Sequence, residues 1–194
     1  MLGYFGPAGT FTHQALLSLS DEESRPYPTV AAALDAVRAG EVDGSVVPIE
    51  NSVEGGVSAT LDYLGNPDVE RLQIMAEAII SVRFVLVVRP GTQLQDIRRI
   101  ATHSHAVAQT RDWLADNVGW ASIADKFSTA GAAKEVSNPD SEYDAAICAA
   151  VAGELYGLDA LATDIADNPD AVTRFVLVRR PGPPTPRTGH DKTT

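Results

Sequence analysis

Each half of this chain carries the same succession of patterns, and that repetition constrains the fold more than any single motif. Val30-Ala31-Ala32-Ala33-Leu34 opens a helix pattern over 30–38 that stops at Gly40, and the strand pattern Asp43-Gly44-Ser45-Val46-Val47 follows. Thr129-Ala130-Gly131-Ala132-Ala133 opens a helix over 129–136, and Asp144-Ala145-Ala146-Ile147-Cys148 follows it. Short strands precede both units, Leu2 to Phe5 and Arg98 to Thr102. Asp43 comes 38 positions after Phe5, and Asp144 comes 42 positions after Thr102. Between them lie helix patterns at His13 to Leu19, capped by Thr10 or Thr12, and at Ala106 to Leu114. A further helix takes in Thr60 to Leu64, and Glu77 to Val88 is a long β-branched run.

This alternation predicts an α/β protein of two related lobes, with mainly parallel sheets covered by helices. Such sheets take ligands at the carboxyl ends of their strands, where helix N-termini leave N–H groups unpaired. If 77–88 leaves the first lobe and 163–175 returns to it, two crossovers form a hinge beside a cleft. The expected organisation is lobe one over 1–76 plus 169–180 and lobe two over 77–168. Residues 181–194, opening Pro181-Gly182-Pro183-Pro184, read as a linker.

Composition excludes several function classes. A chain of 194 residues with 44% hydrophobic and 21% charged residues can bury a sizeable core. Its net charge of −11 argues against nucleic acid or an anionic membrane as partner. The N-terminus lacks a basic stretch ahead of an apolar run, and no window approaches the ~20 apolar residues of a membrane span. A cytoplasmic protein is expected. Cys148 is the single cysteine, flanked by alanines and Ile147, and reads as a small buried thiol. His13, His103, His105 and His190 lack partners at ligand spacing, so no metal site is expected.

Three segments are too unusual to be plain connections: Gly6-Pro7-Ala8-Gly9-Thr10-Phe11-Thr12, Val47-Pro48-Ile49-Glu50-Asn51-Ser52, and Val172-Thr173-Arg174-Phe175. The last places a hydroxyl and a guanidinium at the start of a buried strand. Together they resemble prephenate dehydratase, over about residues 2 to 180. The resemblance implies the two-lobed, periplasmic-binding-protein-like (type II) architecture. It also implies a carbon–oxygen lyase without cofactor that converts prephenate to phenylpyruvate, carbon dioxide and water in phenylalanine biosynthesis, with a homodimer as the default assembly. An arogenate dehydratase is the neighbouring reading, and a non-catalytic two-lobed module for small anions is the rival from another class.

The resemblance makes Thr173 the hydroxyl that contacts the leaving group, with Asn51, Glu50 and Gln109 as its catalytic company. Glu50 is the proton source if burial raises its pKa. Substrate binding is expected of Thr10 with its loop N–H groups, Ser52, Thr60, Thr102, His103, Arg174 as a bidentate fork, and Phe175 against the ring or under Thr173. Within Thr102-His103-Ser104-His105-Ala106-Val107-Ala108-Gln109, the family's Ser and Pro are replaced by Thr102 and Ser104, and its Cys after the glutamine by Thr110. His105 is the one expected merely to cap. The family often has Asn where this chain has Ala171, a role that Asn168 or water could take. Gly189 to Thr194 resembles the opening of the family's ACT regulatory domain. On that reading residues from about 182 are mobile, and phenylalanine neither inhibits the chain nor changes its assembly.

Overall fold

The computed structural model describes residues 1–53 and 55–182. Strand β1 (Leu2–Phe5) leads into α1 (Phe11–Leu19), then β2 (Ser24–Tyr27), α2 (Val30–Arg38) and β3 (Gly44–Asn51). A two-residue strand β4 (Gly55–Gly56), helix α3 (Ser58–Gly65) and strand β5 (Gln73–Ser81) complete the first pass. The chain then crosses to β6 (Phe84–Val88), β7 (Arg99–Thr102), α4 (Ser104–Gln109), α5 (Arg111–Val118), β8 (Ser122–Asp125), α6 (Thr129–Val136), β9 (Ala145–Ala149), α7 (Ala150–Leu155) and β10 (Asp159–Ala162). It returns with β11 (Val172–Arg179).

The expected repeat is visible in the sheets. The first has the order β2-β1-β3-β11-β5, with β4 on β3; read from its other edge, the second is β8-β7-β9-β6-β10. In each, the first three strands are parallel and the fourth is antiparallel to both neighbours. That fourth strand is the one that follows a crossover: β6 after the way out and β11 after the way back. The sheets are therefore mixed rather than mainly parallel, because a strand arriving from the other lobe runs opposite to the local βαβ units.

The division expected at 76/77 falls inside β5, which pairs with β11 along its length up to Ser81. The apolar run 77–88 is two strands in two sheets, separated at Val82-Arg83. Ser81 and Arg83 flank this break, but the strands on either side are built from the same apolar residue types and read as one run. The crossovers are bonded side by side: Val82 N–H donates to Ala171 O (2.8 Å) and Ile165 N–H to Phe84 O (3.1 Å). Arg83 also donates to Asp164 at 2.5 Å, a solvent-exposed ion pair beside the crossing.

One expected helix, 106–114, is two. Thr110 Oγ1 donates to Ala106 O at 2.8 Å, and Thr110 has φ −131°, so the hydroxyl competes with the helix ladder and α5 restarts at Arg111.

Helix α1 covers one face of the first sheet, where Leu16 meets Leu2, Tyr4, Val46, Ile80, Phe175 and Leu177. On the other face α2 packs Val30, Leu34 and Val37 against Val47, Val176 and Val178. Each fully buried side chain of this size contributes roughly 1.5–3 kcal/mol. The alternation Phe175/Leu177 against Val176/Val178 fixes which face every neighbouring side chain of β11 takes.

Cys148 is fully buried in β9, and burial pushes its thiol up to about 12. Native protein should leave Ellman's reagent unreacted over minutes, and denaturant should release one thiol. Prompt reaction without denaturant would mean the second sheet opens locally. The linker expected at 181–194 lies, beyond Pro181 and Gly182, outside the described residues.

Candidate active site

A β-bulge builds the centre of the site. Strand β3 pairs with β11 as Leu177↔Val46, Val176↔Val47 and Phe175↔Pro48, then jumps to Arg174↔Glu50 and Thr173↔Asn51. Ile49 is the extra residue. Without it Thr173 would stand opposite Glu50; with it, Asn51 comes round to the α1 face and Glu50 is turned away. Proline is tolerated in a central strand at a bulge, and Pro48 sits there. Its carbonyl accepts from the fully buried Thr60 Oγ1 at 2.5 Å.

Asn51 and Thr173 meet on that face. Asn51 Nδ2 donates to Thr173 Oγ1 at 2.8 Å, while Asn51 Oδ1 accepts from Val53 N–H at 2.8 Å. The backbone donor fixes the amide orientation, so the nitrogen must face the threonine. Thr173, only 7% exposed, thus has a lone pair occupied by Asn51, which leaves its own O–H to donate to an acceptor other than Asn51 Nδ2.

The second sheet shows what the fold alone requires here. By register, Phe84 at the start of β6 opposes Ala149 at the end of β9, as Thr173 opposes Asn51. An apolar pair serves in one lobe, so the polar pair in the other is not demanded by the architecture. Phe84 instead packs edge-to-face on Phe11, its ring centroid 5.5 Å away.

Several expected ligands are occupied elsewhere. Glu50 is exposed and 3.7 Å from Arg174, which also meets Glu77 at 2.7 Å through Nε and 2.5 Å through NH2. This triad lies on the sheet face opposite Thr173, so Glu50 is not a buried proton source and Arg174 is not an open fork. Arg174→Ala should cost on the order of 1 kcal/mol in denaturant unfolding, with the substrate's KM within about twofold. A tenfold rise in KM would return Arg174 to the binding face.

The hydroxyl of Thr60 is spent on Pro48, and that of the fully buried Thr102 on Ile147 O at 2.8 Å. Ser52 accepts Val172 N–H at its Oγ and donates its own N–H to Val172 O, both at 2.9 Å, which extends the ladder below Thr173. Thr10 caps α1: its Oγ1 donates to Pro7 O at 3.0 Å and accepts from His13 N–H at 3.3 Å. Phe175 is core, opposite Pro48. His103, not His105, caps α4, its Nδ1 accepting His105 N–H at 3.1 Å. Gln109 ends α4, half-buried, and its carbonyl accepts Asp167 N–H at 2.8 Å. Ala171 is buried against the second lobe's core, and Asn168 Oδ1 accepts Asp170 N–H in its own turn.

Residues that sequence reasoning missed form the support. Pro48 in an apolar strand was the available signal for the bulge. Glu77 carries no signal, because its relation to Arg174 depends on β5 joining the first sheet. Between the lobes, on the β1–β2 side, a cavity of about 590 Å³ is lined by Pro7, Tyr27 and Pro28 from one lobe and by Lys126, Phe127 and Ser128 from the other. It is displaced from Asn51 and Thr173, which stand on the β3–β11 side. Among the described residues, no group of three His, Cys, Asp or Glu side chains is placed to hold a metal ion. Nor is any described helix long and apolar enough to cross a membrane.

The family model for prephenate dehydratase matches residues 2–183. The chain belongs to the prephenate dehydratase family. It is 44% identical to the prephenate dehydratase of Mycobacterium leprae over 206 residues, covering all of this chain and 62% of that protein. The chain thus spans about 62% of the length of that curated relative. Prephenate dehydratase from Arthrobacter aurescens, solved in complex with L-Phe, superposes with a TM-score of 0.89 at 48% identity, over 97% of this chain and 62% of that one. GqqA, a quorum-quenching acylase, gives a TM-score of 0.83 at 30% identity, over 96% and 66%. As a member of the prephenate dehydratase family the chain has the two-lobed α/β fold expected of it, and its Thr-Arg-Phe and Glu-Asn-Ser segments are paired strands of one sheet.

Proposed function

We propose that this chain is the catalytic unit of a prephenate dehydratase, a carbon–oxygen lyase acting in phenylalanine biosynthesis in the cytoplasm as a homodimer. The observation that carries the reading is the Asn51–Thr173 hydrogen bond at 2.8 Å, a polar pair set at the carboxyl end of β3 in a chain of this family. In the reaction the bond to the ring carboxylate breaks. Its electron pair moves into the ring as carbon dioxide departs, and the C4 hydroxyl leaves with a proton as water. Negative charge develops on the departing oxygen. A threonine is a poor acid, so Thr173 acts by donating its O–H to that oxygen as the charge grows. Asn51 orders this donation by occupying the threonine's lone pair. The first N–H groups of α1, at Phe11 and Thr12, lack intrahelical partners and favour an anionic group such as the pyruvyl carboxylate.

The test is turnover of prephenate to phenylpyruvate at neutral pH, followed by the product's absorbance against a buffer control, since prephenate aromatises by itself in acid. Arogenate is run beside it to fix side-chain preference. An N-acyl amide is the third substrate, because GqqA is an acylase of the same fold. Binding of prephenate without turnover, or turnover of the amide alone, would replace this reading.

A further inference from the structure

The turn after β1 is one of the parts of the first lobe that reach the second. Gly9, at φ +87°, lies so close to α7 that a methyl group built on it would stand 3.0 Å from Ala152 Cβ and 3.5 Å from Ala130 Cβ of α6. Both alanines are fully buried. One residue earlier, Ala8 O accepts from Tyr156 OH at 3.4 Å, at the end of α7. The same turn carries Thr10 at the start of α1. Its shape therefore sets both the seam between the lobes and the helix N-terminus that faces the cleft.

Gly6 N–H to Tyr27 O (2.9 Å) and Thr10 Oγ1 to Pro7 O (3.0 Å) hold the start of that turn, and its Gly9 end is held by a histidine the reaction scheme does not use. Gly9 N–H donates to His13 Nδ1 at 3.2 Å, and the His13 ring stacks on Tyr4 with centroids 4.8 Å apart and planes 16° from parallel. An imidazole can accept at Nδ1 only when neutral and protonated at Nε2; the cation offers N–H at both positions and would confront the Gly9 N–H. We propose that His13 is a positioning residue of this site: as the neutral Nε2–H tautomer it holds the 6–10 turn in the form that seats against α6 and α7. The kinetic consequence rests on the prephenate dehydratase reading, whereas the structural one does not.

The surroundings suit a neutral ring. From β1 the facing titratable group is Tyr4, its phenol pushed up to about 12 by burial, with Tyr156 of the second lobe beyond it, also raised by burial. From β3, β5 and β11 the face under α1 carries Val46, Ala76, Ala78, Ile80, Phe175 and Leu177, with the uncharged pair Asn51 and Thr173 at its end. Burial holds His13 below its ordinary value near 6.5. A group whose folded pKa is depressed contributes stability above its unfolded pKa and loses it as pH falls through the folded one. The turn should accordingly be held at pH 7 and above, and released on acidification below about 6.5.

The whole chain, labelled with nitrogen-15, is followed by NMR from pH 8 to 5. The Gly9 amide and the His13 ring should shift together with one midpoint below 6.5. In His13→Asn, whose Oδ1 can accept the same N–H but does not titrate, the Gly9 amide should stay constant. A pH-independent Gly9 amide in the parent, or one that still titrates in His13→Asn, overturns the proposal. With prephenate, His13→Ala should lower kcat/KM about tenfold at pH 7.5, and His13→Asn should recover most of it with a flatter acid limb. Equal loss in both variants would assign His13 to packing alone. If prephenate is not turned over at all, the functional reading fails while the Gly9 titration still decides this one; if His13→Ala does not fold, the parent and His13→Asn decide it.

Discussion

Thr173→Val should fold and lose turnover of prephenate on the order of a hundredfold or more. Valine keeps the volume and β-branching that suit a strand start, and Thr173 is almost wholly buried between β3 and β5, so no cavity opens. The hydroxyl is lost in two senses. The developing charge on the leaving oxygen loses its donor, and the half-buried hydrogen bond from Asn51 Nδ2 is lost, at a cost of about 0.5–1.5 kcal/mol. The two effects separate experimentally: denaturant unfolding reads the second, kcat the first. Thr173→Ser keeps the hydroxyl but frees its rotamer, and should retain part of the rate. A Val variant with near-native turnover would take Thr173 out of the mechanism.

The architecture was legible in the sequence where a pattern depends on local periodicity alone. The expected bounds of β1, α2 and α6 coincide with the structure, because each has a strong cap or breaker: Gly6-Pro7, Thr29 with Gly40, and Ser128. The repeat itself became visible as two sheets of one strand order. What failed depends on which sheet a strand joins. After Glu77 only Ser81 and Arg83 interrupt residues 77–88, and no periodicity shows that the strands on either side of them join different sheets.

The site was legible as a set of segments but not as a set of side chains. Thr173 and Asn51 are in contact; Glu50, adjacent in sequence, is on the opposite face with Arg174 and Glu77. One inserted residue in β3 makes that choice, and it leaves a trace only as Pro48, a residue a central strand tolerates at a bulge. Hydroxyls misled for a related reason. Thr60 stands in the first turn of α3 and Thr102 at the end of β7, yet each donates to a backbone carbonyl that the fold leaves open, Pro48 O and Ile147 O. A sequence shows that a hydroxyl is present without showing which carbonyl needs it. In this sense Thr60 matters to the chemistry by securing the bulge that turns Asn51 inward.

That dependence on orientation is most sharply tested by Asn51→Asp. The substitution is nearly isosteric, and the new side chain can still accept the Val53 N–H, so the turn after β3 should survive. An ionised carboxylate cannot donate. The bond with Thr173 must reverse, the threonine O–H turning toward position 51 and away from the departing hydroxyl. A second penalty adds to the first: a unit charge brought to ~4 Å of an anionic substrate costs about 4 kcal/mol at an effective dielectric constant of 20. Turnover at pH 7.5 should therefore fall at least a hundredfold, with KM rising, although the protein remains folded. The pH dependence supplies the sign. Protonation of the new carboxyl restores a donor to Thr173 and removes the charge, so the variant's activity should climb as pH falls toward its pKa. The parent, losing the neutral His13 over the same interval, should decline. Opposite slopes in the two proteins, each corrected for spontaneous aromatisation, are the expected result. Parallel slopes, or a variant as active as the parent at pH 7.5, would show that Asn51 does not set the direction of the Thr173 hydroxyl.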